Sequence, residues 1–341
     1  MLKNEKKERA LITGMTGMVG SHLADYLLEN TDWEIYGFCR WNDNFENISH
    51  LFNRINNEDR ISLIYGDLND YASVFSTVQK VQPHYIFHLA AQSYPKTSFD
   101  SPLETLQTNI IGTAHILEAV RSLKIDPTVH VCASSEIFGR VSPDKLPIKE
   151  DCTFHPASPY AISKVGTDLL GRYYGEAYGI CTITTRMFTH TGPRRGDVFA
   201  ESSFAKQIAM IEQHLIPPVI KVGNLDSLRT WSDVRDAVRA YYMLVTINPV
   251  PGEYYNIGGQ YACSVGEMLN YLLELSTASN IEIVIDPDRL RPIDADLQIP
   301  DTTKFREHTG WQPAISFEST MIDLLEYWRD KVKNQKCFMI R

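Results

Sequence analysis

The sequence predicts a doubly wound parallel α/β sheet followed by a smaller mixed α/β unit. Three observations carry this. Short, mostly apolar runs alternate with amphipathic stretches through the first half of the chain. A glycine-rich turn joins the first apolar run to the first helical pattern. Beyond about residue 189 the alternation gives way to helices with short strands between them.

Taken in order, strands are predicted at Arg9–Thr13, Glu34–Arg40, Ile61–Asp67, Tyr85–Ala91, Val129–Ser135 and Cys181–Phe188. They lack a polar face, as strands buried on both sides do. Helical patterns occupy 18–30, 70–80, 104–123 and 158–178. Strand–helix–strand alternation places the strands parallel in one sheet. Later helices are predicted at 203–214, 233–247, 264–276, 301–309 and 316–333, punctuated by Pro217-Pro218, Pro249-Val250-Pro251 and Asp286-Pro287. The division expected is a cofactor domain over 1–188, to which 231–260 returns, and a substrate domain over 189–230 and 261–341. No flexible linker parts the two, so a cleft between them is the natural ligand site.

Composition narrows the function. The chain has 341 residues, 43% of them hydrophobic, enough for one or two cored domains. Its net charge of −9 and lack of a basic stripe exclude nucleic acid as an expected partner and argue against anionic membranes. The six cysteines form no CxxC and suggest neither a disulfide framework nor a metal site. That fits a reducing, cytoplasmic compartment. Met1 to Arg9 is charged, without a signal-peptide core, and no apolar run reaches the ~20 residues of a membrane helix.

The glycine-rich turn reads Thr13-Gly14-Met15-Thr16-Gly17-Met18-Val19-Gly20. Gly14 permits the tight turn, Gly17 the approach of phosphate to backbone, and Gly20 close helix packing. With a strand before it and a helix after, this is a dinucleotide site of Rossmann type, the pyrophosphate facing the helix N-terminus. Thr16, Met18 and Val19 belong to the same turn. The second strand ends at Cys39-Arg40-Trp41, with no acid for a ribose 2′-hydroxyl. Arg40 there favours NADP over NAD. Asp67 and Leu68 end the third strand, where Asp67 suits the adenine amino group. Leu89, Ala91 and Gln92 end the fourth.

Proton chemistry is suggested by Ser134, Glu136, Tyr160 and Lys164. A free Tyr titrates near about 10, and an ammonium one helical turn away is expected to pull that toward neutrality. A Tyr–Lys pair at this spacing is common on helices. It gains weight from the hydroxyl and carboxylate that close the fifth strand.

These stretches, with Ala91-Gln92-Ser93, Ser98-Phe99-Asp100, Pro193-Arg194-Arg195-Gly196, Gly223-Asn224-Leu225-Asp226 and Arg291-Pro292, resemble the extended short-chain dehydrogenase/reductases acting on nucleotide sugars. The likeness covers nearly the whole chain and is greatest to the GDP-mannose 4,6-dehydratases. It implies a cycle without net redox change. Tyr160, held by Lys164, takes the sugar 4-hydroxyl proton as a hydride leaves C4. The 4-ketone acidifies C5–H, which Glu136 removes. Water leaves C6, helped by Ser134 and protonated Glu136, and the hydride returns to C6.

The resemblance also assigns His190 and Arg195 to the cofactor. Ser93, Thr189, Asn224, Arg229, Arg291 and Asp294 fall to the substrate, the arginines to its diphosphate or ribose. Of the adjacent Arg194 and Arg195, an extended segment would send one to phosphate and the other to an interface. Segment 41–51 is similar to one that reaches a neighbouring subunit, so a homodimer or homotetramer is expected. Departures are Thr189 where the family has Asn, Ser134 where it commonly has Thr, and the bulkier Tyr94-Pro95. They leave the sugar open between GDP-mannose and GDP-D-glycero-D-manno-heptose.

Competing readings are a GDP-4-keto-6-deoxy-mannose reductase, which shares the Ser/Tyr/Lys set, an epimerase, and a non-catalytic NADP-sensing protein. Pro193-Arg194-Arg195-Gly196 and the long 41–60 insertion favour the dehydratase. The intact catalytic set opposes the sensor.

Overall fold

The computed structural model describes residues 7–291, 293 and 295–334. Six strands of the first half are β1 (Arg9–Thr13), β2 (Glu34–Cys39), β3 (Ile61–Tyr65), β4 (Tyr85–His88), β5 (Thr128–Cys132) and β6 (Thr182–Met187). With Glu253–Ile257 they form a seven-stranded sheet, ordered Glu253–Ile257, β6, β5, β4, β1, β2, β3. Every pairing in it is parallel. The order reverses between β1 and β4, so a crevice opens beyond their carboxyl ends.

Five strands differ at their ends from the sequence reading. Apolar and small residues at positions 89–91 and 133–134 run beyond the strand and become loop, and Ser135 opens a helical turn. Hydropathy cannot register that exit, because the rim of such a site is as apolar as the strand. The helical pattern at 104–123 is split into Pro102–Leu106, a π-helical turn Gln107–Ile111 and Gly112–Leu123. The π turn carries Asn109, whose amide donates to Gln92 O at 3.0 Å and Ser163 Oγ at 2.8 Å. It thereby ties the rim after β4 to the helix Pro159–Tyr178.

Both sheet faces are covered. One core joins α1 (Met18–Asn30) and the helix Val234–Thr246 to the sheet through Leu23, Leu27, Tyr241 and Leu244. The opposite face buries Val78, Ile116, Leu117 and Tyr174. A separate core gathers the helices Ala200–Glu212, Val265–Glu274 and Phe317–Asn334 around Phe204, Leu269, Met321 and Trp328. The helix Thr303–Thr309 does not join it: Phe305 and Trp311 lie in the core of the main sheet. The expected span 261–341 therefore contributes to both cores. Among the described residues no helix is long and apolar enough to cross a membrane.

One buried ion pair fixes the ground under the site. Arg186 of β6 donates to Asp168 at 2.7 and 3.0 Å, and to Glu150 O at 2.6 Å. Their side chains are 1% and 0% exposed, so neither charge has water to fall back on. Asp168→Ala leaves a buried guanidinium without its counter-charge and is expected to cost about 3–5 kcal/mol. Urea unfolding measures it.

Candidate active site

The turn after β1 shapes one wall of the crevice. Gly14 has φ +73, and a Cβ on it would stand 2.9 Å from Ala90 backbone. A Cβ on Gly20 would stand 2.3 Å from Gly14 O. α1 therefore starts hard against the sheet, with Gly17 as its N-cap, no side-chain cap and no acid in its first turn. Its first amides face the crevice unshielded, a cradle suited to a pyrophosphate.

The opposite wall comes from the helix Pro159–Tyr178. Ser158 caps it through Ala161 N at 3.0 Å, and Pro159 fixes its first turn. Tyr160 and Lys164 then share one face. Lys164 Nζ donates to Cys132 O at 2.7 Å, and both side chains are buried. Burial holds the Tyr160 phenol above its ordinary value, while a hydrogen bond from Ser134 pulls the other way. Lys164 is itself pushed down by burial. The expected Tyr160 near neutrality is thus corrected for the protein by itself. Desolvation wins here, and the ammonium is engaged by a carbonyl.

Ser134 closes β5 and caps a single helical turn, Ser135–Phe138, accepting from Glu136 N at 3.2 Å. Its O–H is then the group that bonds to Tyr160. Glu136 stands 3.7 Å from Arg229 Nη1 and 3.9 Å from Arg291 Nη1. His190 donates to Phe188 O at 3.1 Å. Burial, then Arg195, pushes its pKa down to about 4.

These groups share one cavity of about 850 Å³. Of the residues expected from sequence, Gly14, Gly17, Met18, Val19, Gly20, Leu89, Ala91, Ser93, Ser134, Glu136, Tyr160, Lys164, Thr189, His190, Arg195, Asn224, Arg229 and Arg291 line it. Thr16, Arg40, Asp67, Leu68 and Gln92 do not. Gln92 turns into the rim, its Nε2 donating to Thr105 and its Oε1 accepting from Tyr94 N. Asp67 accepts from Asn69 N at 2.9 Å, and Leu68 is core. Asp294 lies outside the described residues. Arg194 and Arg195 do diverge, but through a positive φ of 68 at Arg194 rather than an extended chain. Arg194 bonds Asp25 of α1 at 2.7 Å, and Arg195 bonds Glu201 at 3.1 Å and covers Phe199.

The NADP expectation rested on a missing acid after β2. The structure supplies one three residues later. Asp43 accepts from Arg40 Nε at 2.9 Å, Arg40 N at 3.1 Å and Thr16 Oγ1 at 3.3 Å. Sequence reasoning also passed over Lys96, on the short helix Pro95–Asp100, Phe199, the N-cap of the helix Ala200–Glu212, and Arg289, on the helical turn Pro287–Arg289, all of which line the cavity. Tyr94, met in the sequence as a departure, lines it too, edge-on to Phe199.

The profile of the GDP-mannose 4,6 dehydratase family matches residues 11–324. The chain belongs to that family. A GDP-mannose 4,6-dehydratase of Vibrio cholerae is 30% identical, over 94% of this chain and 93% of its own. A GDP-6-deoxy-D-mannose reductase of Pseudomonas aeruginosa is 28% identical, over 96% and 99%. The structure of RMD from Pseudomonas aeruginosa complexed with NADPH superposes with a TM-score of 0.81 at 28% identity, over 96% of this chain and 100% of that one. For a GDP-mannose 4,6-dehydratase family member, the glycine turn, the Tyr/Lys helix and the Ser-x-Glu turn are therefore in one cavity, with arginines facing the carboxylate.

Buried histidines set the acid limit of this arrangement. Burial pushes His22 and His190 down to about 4 and His88 and His130 to about 3, from 6.5. Between those values the unfolded chain binds more protons than the folded one, so stability rises with pH there. Unfolding free energy is expected to fall from pH 6.5 toward 4, by at most about 1.4 kcal/mol per pH unit for each histidine kept neutral. Urea midpoints across that range check it, and a flat profile contradicts it.

Proposed function

We propose that the protein is a nicotinamide-dependent GDP-sugar 4,6-dehydratase, acting on GDP-mannose or GDP-D-glycero-D-manno-heptose. The observation that carries this is Glu136, a carboxylate beside Ser134 in the same cavity as Tyr160, faced by Arg229 and Arg291. A dinucleotide fits the bare glycine cradle at the α1 N-terminus. Bound there, an oxidised nicotinamide supplies a hydride acceptor that later returns the hydride, and brings a positive charge into the cavity.

The chain's own groups do the rest. Tyr160 Oη takes the proton of the 4-hydroxyl, and Ser134 Oγ steers it. Lys164, fixed by Cys132 O, holds the phenolate. Once C4 is a ketone, C5–H is acidic enough for a carboxylate, and Glu136 removes it. The protonated Glu136 then gives its proton to the departing C6 hydroxyl; as the hydride comes back to C6 a proton is delivered to C5 and Tyr160 releases the one it took, so that the balance is the loss of one water. Arg229 and Arg291 bind the diphosphate, suited to bidentate contact, and Asn224, Ser93 and Thr189 hold the nucleotide and sugar. His190 and Arg195 serve the cofactor side. Arg40 is the residue that favours NADP, and Asp43 the one that opposes it.

The proposed division places the cofactor in 1–188 with 231–260, and the nucleotide sugar on 189–230 and 261–341. A cytoplasmic homodimer or homotetramer is part of the reading. Trp41, in the segment expected to reach a neighbour, is 79% exposed.

A second reading, a GDP-4-keto-6-deoxy-mannose reductase, is favoured by the 28% identity to the Pseudomonas reductase over almost all of its length. Incubation with GDP-mannose and with GDP-mannoheptose separates the two. The dehydratase gives a product lighter by one water without accumulating reduced cofactor. The reductase leaves both sugars unchanged and oxidises reduced cofactor with a 4-keto-6-deoxy sugar.

A further inference from the structure

The geometry around Asp43 points to this residue as the selector of NAD over NADP, its carboxylate accepting the 2′-hydroxyl of the adenosine ribose and repelling a 2′-phosphate. The inference rests on the reading of the glycine turn as a dinucleotide site.

Position comes first. In a sheet of this kind the group that reads the 2′-position stands at the end of the second strand, across from the glycine turn. Arg40 follows β2 directly, and a turn with Asp43 N donating to Arg40 O at 3.2 Å folds Asp43 back over that strand end. Its Oδ2 bridges Arg40 N and Thr16 Oγ1, one on each side of the gap. Asn47 Nδ2 donates to Thr16 O at 3.1 Å and ties the same loop to the turn. Both walls thus fix the carboxylate beside the end of the second strand, where the ribose-reading group of such a sheet stands, although it does not itself line the cavity described above. Its charge also reaches the strand end: burial, and then Asp43, raise the Cys39 thiol to about 12.

Chemistry follows. A carboxylate has about four lone-pair sites, and three are used here, two on Oδ2 and one on Oδ1. One on Oδ1 remains for a hydroxyl donor. A phosphate offers no proton to it at neutral pH and adds like charge. The cation the sequence offers to that phosphate, Arg40, is already bonded through Nε to Asp43, with side-chain exposures of 63% and 15%. To grip a 2′-phosphate, Arg40 must either leave Asp43 or hold both anions at once.

Isothermal titration calorimetry of the full chain, freed of copurified dinucleotide, tests this with NADH and NADPH. The wild type is expected to bind NADH about tenfold or more tightly than NADPH, and Asp43→Asn to shrink that ratio by about tenfold or more. Asp43→Ser, which removes the charge and keeps a small hydroxyl, is expected to shift the ratio the same way. The melting temperature of each unliganded variant shows that it is folded. A wild type preferring NADPH, or variants with an unchanged ratio, overturns the role of Asp43 and leaves the dinucleotide site standing. Binding of neither dinucleotide overturns both.

Discussion

Tyr160→Phe is expected to leave a folded protein that still binds cofactor and nucleotide sugar but turns over about a hundredfold to ten-thousandfold more slowly. The ring stays, so the packing of the buried side chain is kept. What is lost is the phenol oxygen proposed to take the 4-hydroxyl proton. The effect falls on kcat, because the ring does not grip the substrate. Burial already holds the phenol above its ordinary value. Proton transfer to it therefore depends on positive charge arriving with the cofactor and on Ser134. Rates rising with pH through the alkaline range are the corresponding signature. Steady-state kinetics and calorimetric binding together check this, and an unchanged kcat contradicts the assignment.

Glu136→Gln is expected to separate the two halves of the reaction. Gln keeps the shape of the side chain and its turn after β5, but it is no base. In a single turnover with GDP-mannose, reduced nicotinamide should appear and persist, since the proposed cycle assigns C4 oxidation to Tyr160 and not to Glu136. Water loss should fall by about a hundredfold or more. The reductase reading predicts otherwise: nothing in a one-step reduction at C4 calls for a carbon-acid base. Absorbance of the reduced nicotinamide alongside mass spectrometry of the sugar distinguishes them. Loss of both signals would mean that Glu136 serves binding, through Arg229 and Arg291.

The fold was legible in the sequence where local and global signals agree. β1, its glycine turn and α1 match the sequence bounds to the residue, because strand, turn and helix each carry their own signature. The end of β4 was not, because Leu89, Ala90 and Ala91, which leave the ladder to form the rim, are as apolar as the strand itself. The π turn at Gln107–Ile111 has no composition signature; its reason is three-dimensional, the placing of Asn109 against Gln92 and Ser163. For the site, Ser134, Glu136, Tyr160 and Lys164 could be named because their spacing follows strand–turn–helix logic. Gln92 and Asp67 could not be sorted from true lining residues, since a strand end gives a position but not a side-chain direction. Asp43 was passed over for the converse reason: it lies three residues beyond the strand end, and only the turn at Arg40 brings it back. Lys96, Phe199 and Arg289 come from a short helix, an N-cap and a single helical turn whose approach to the cavity no local pattern encodes.

GDP-mannose deuterated at C4, with mass spectrometry and NMR of the product, tests directly whether the hydride taken from C4 is the one returned to C6. The expected product is a 4-keto sugar lighter by one water that retains the deuterium, now at C6, with no net change in the cofactor. A product without deuterium at C6, or no product while a 4-keto-6-deoxy sugar consumes reduced cofactor, would contradict it.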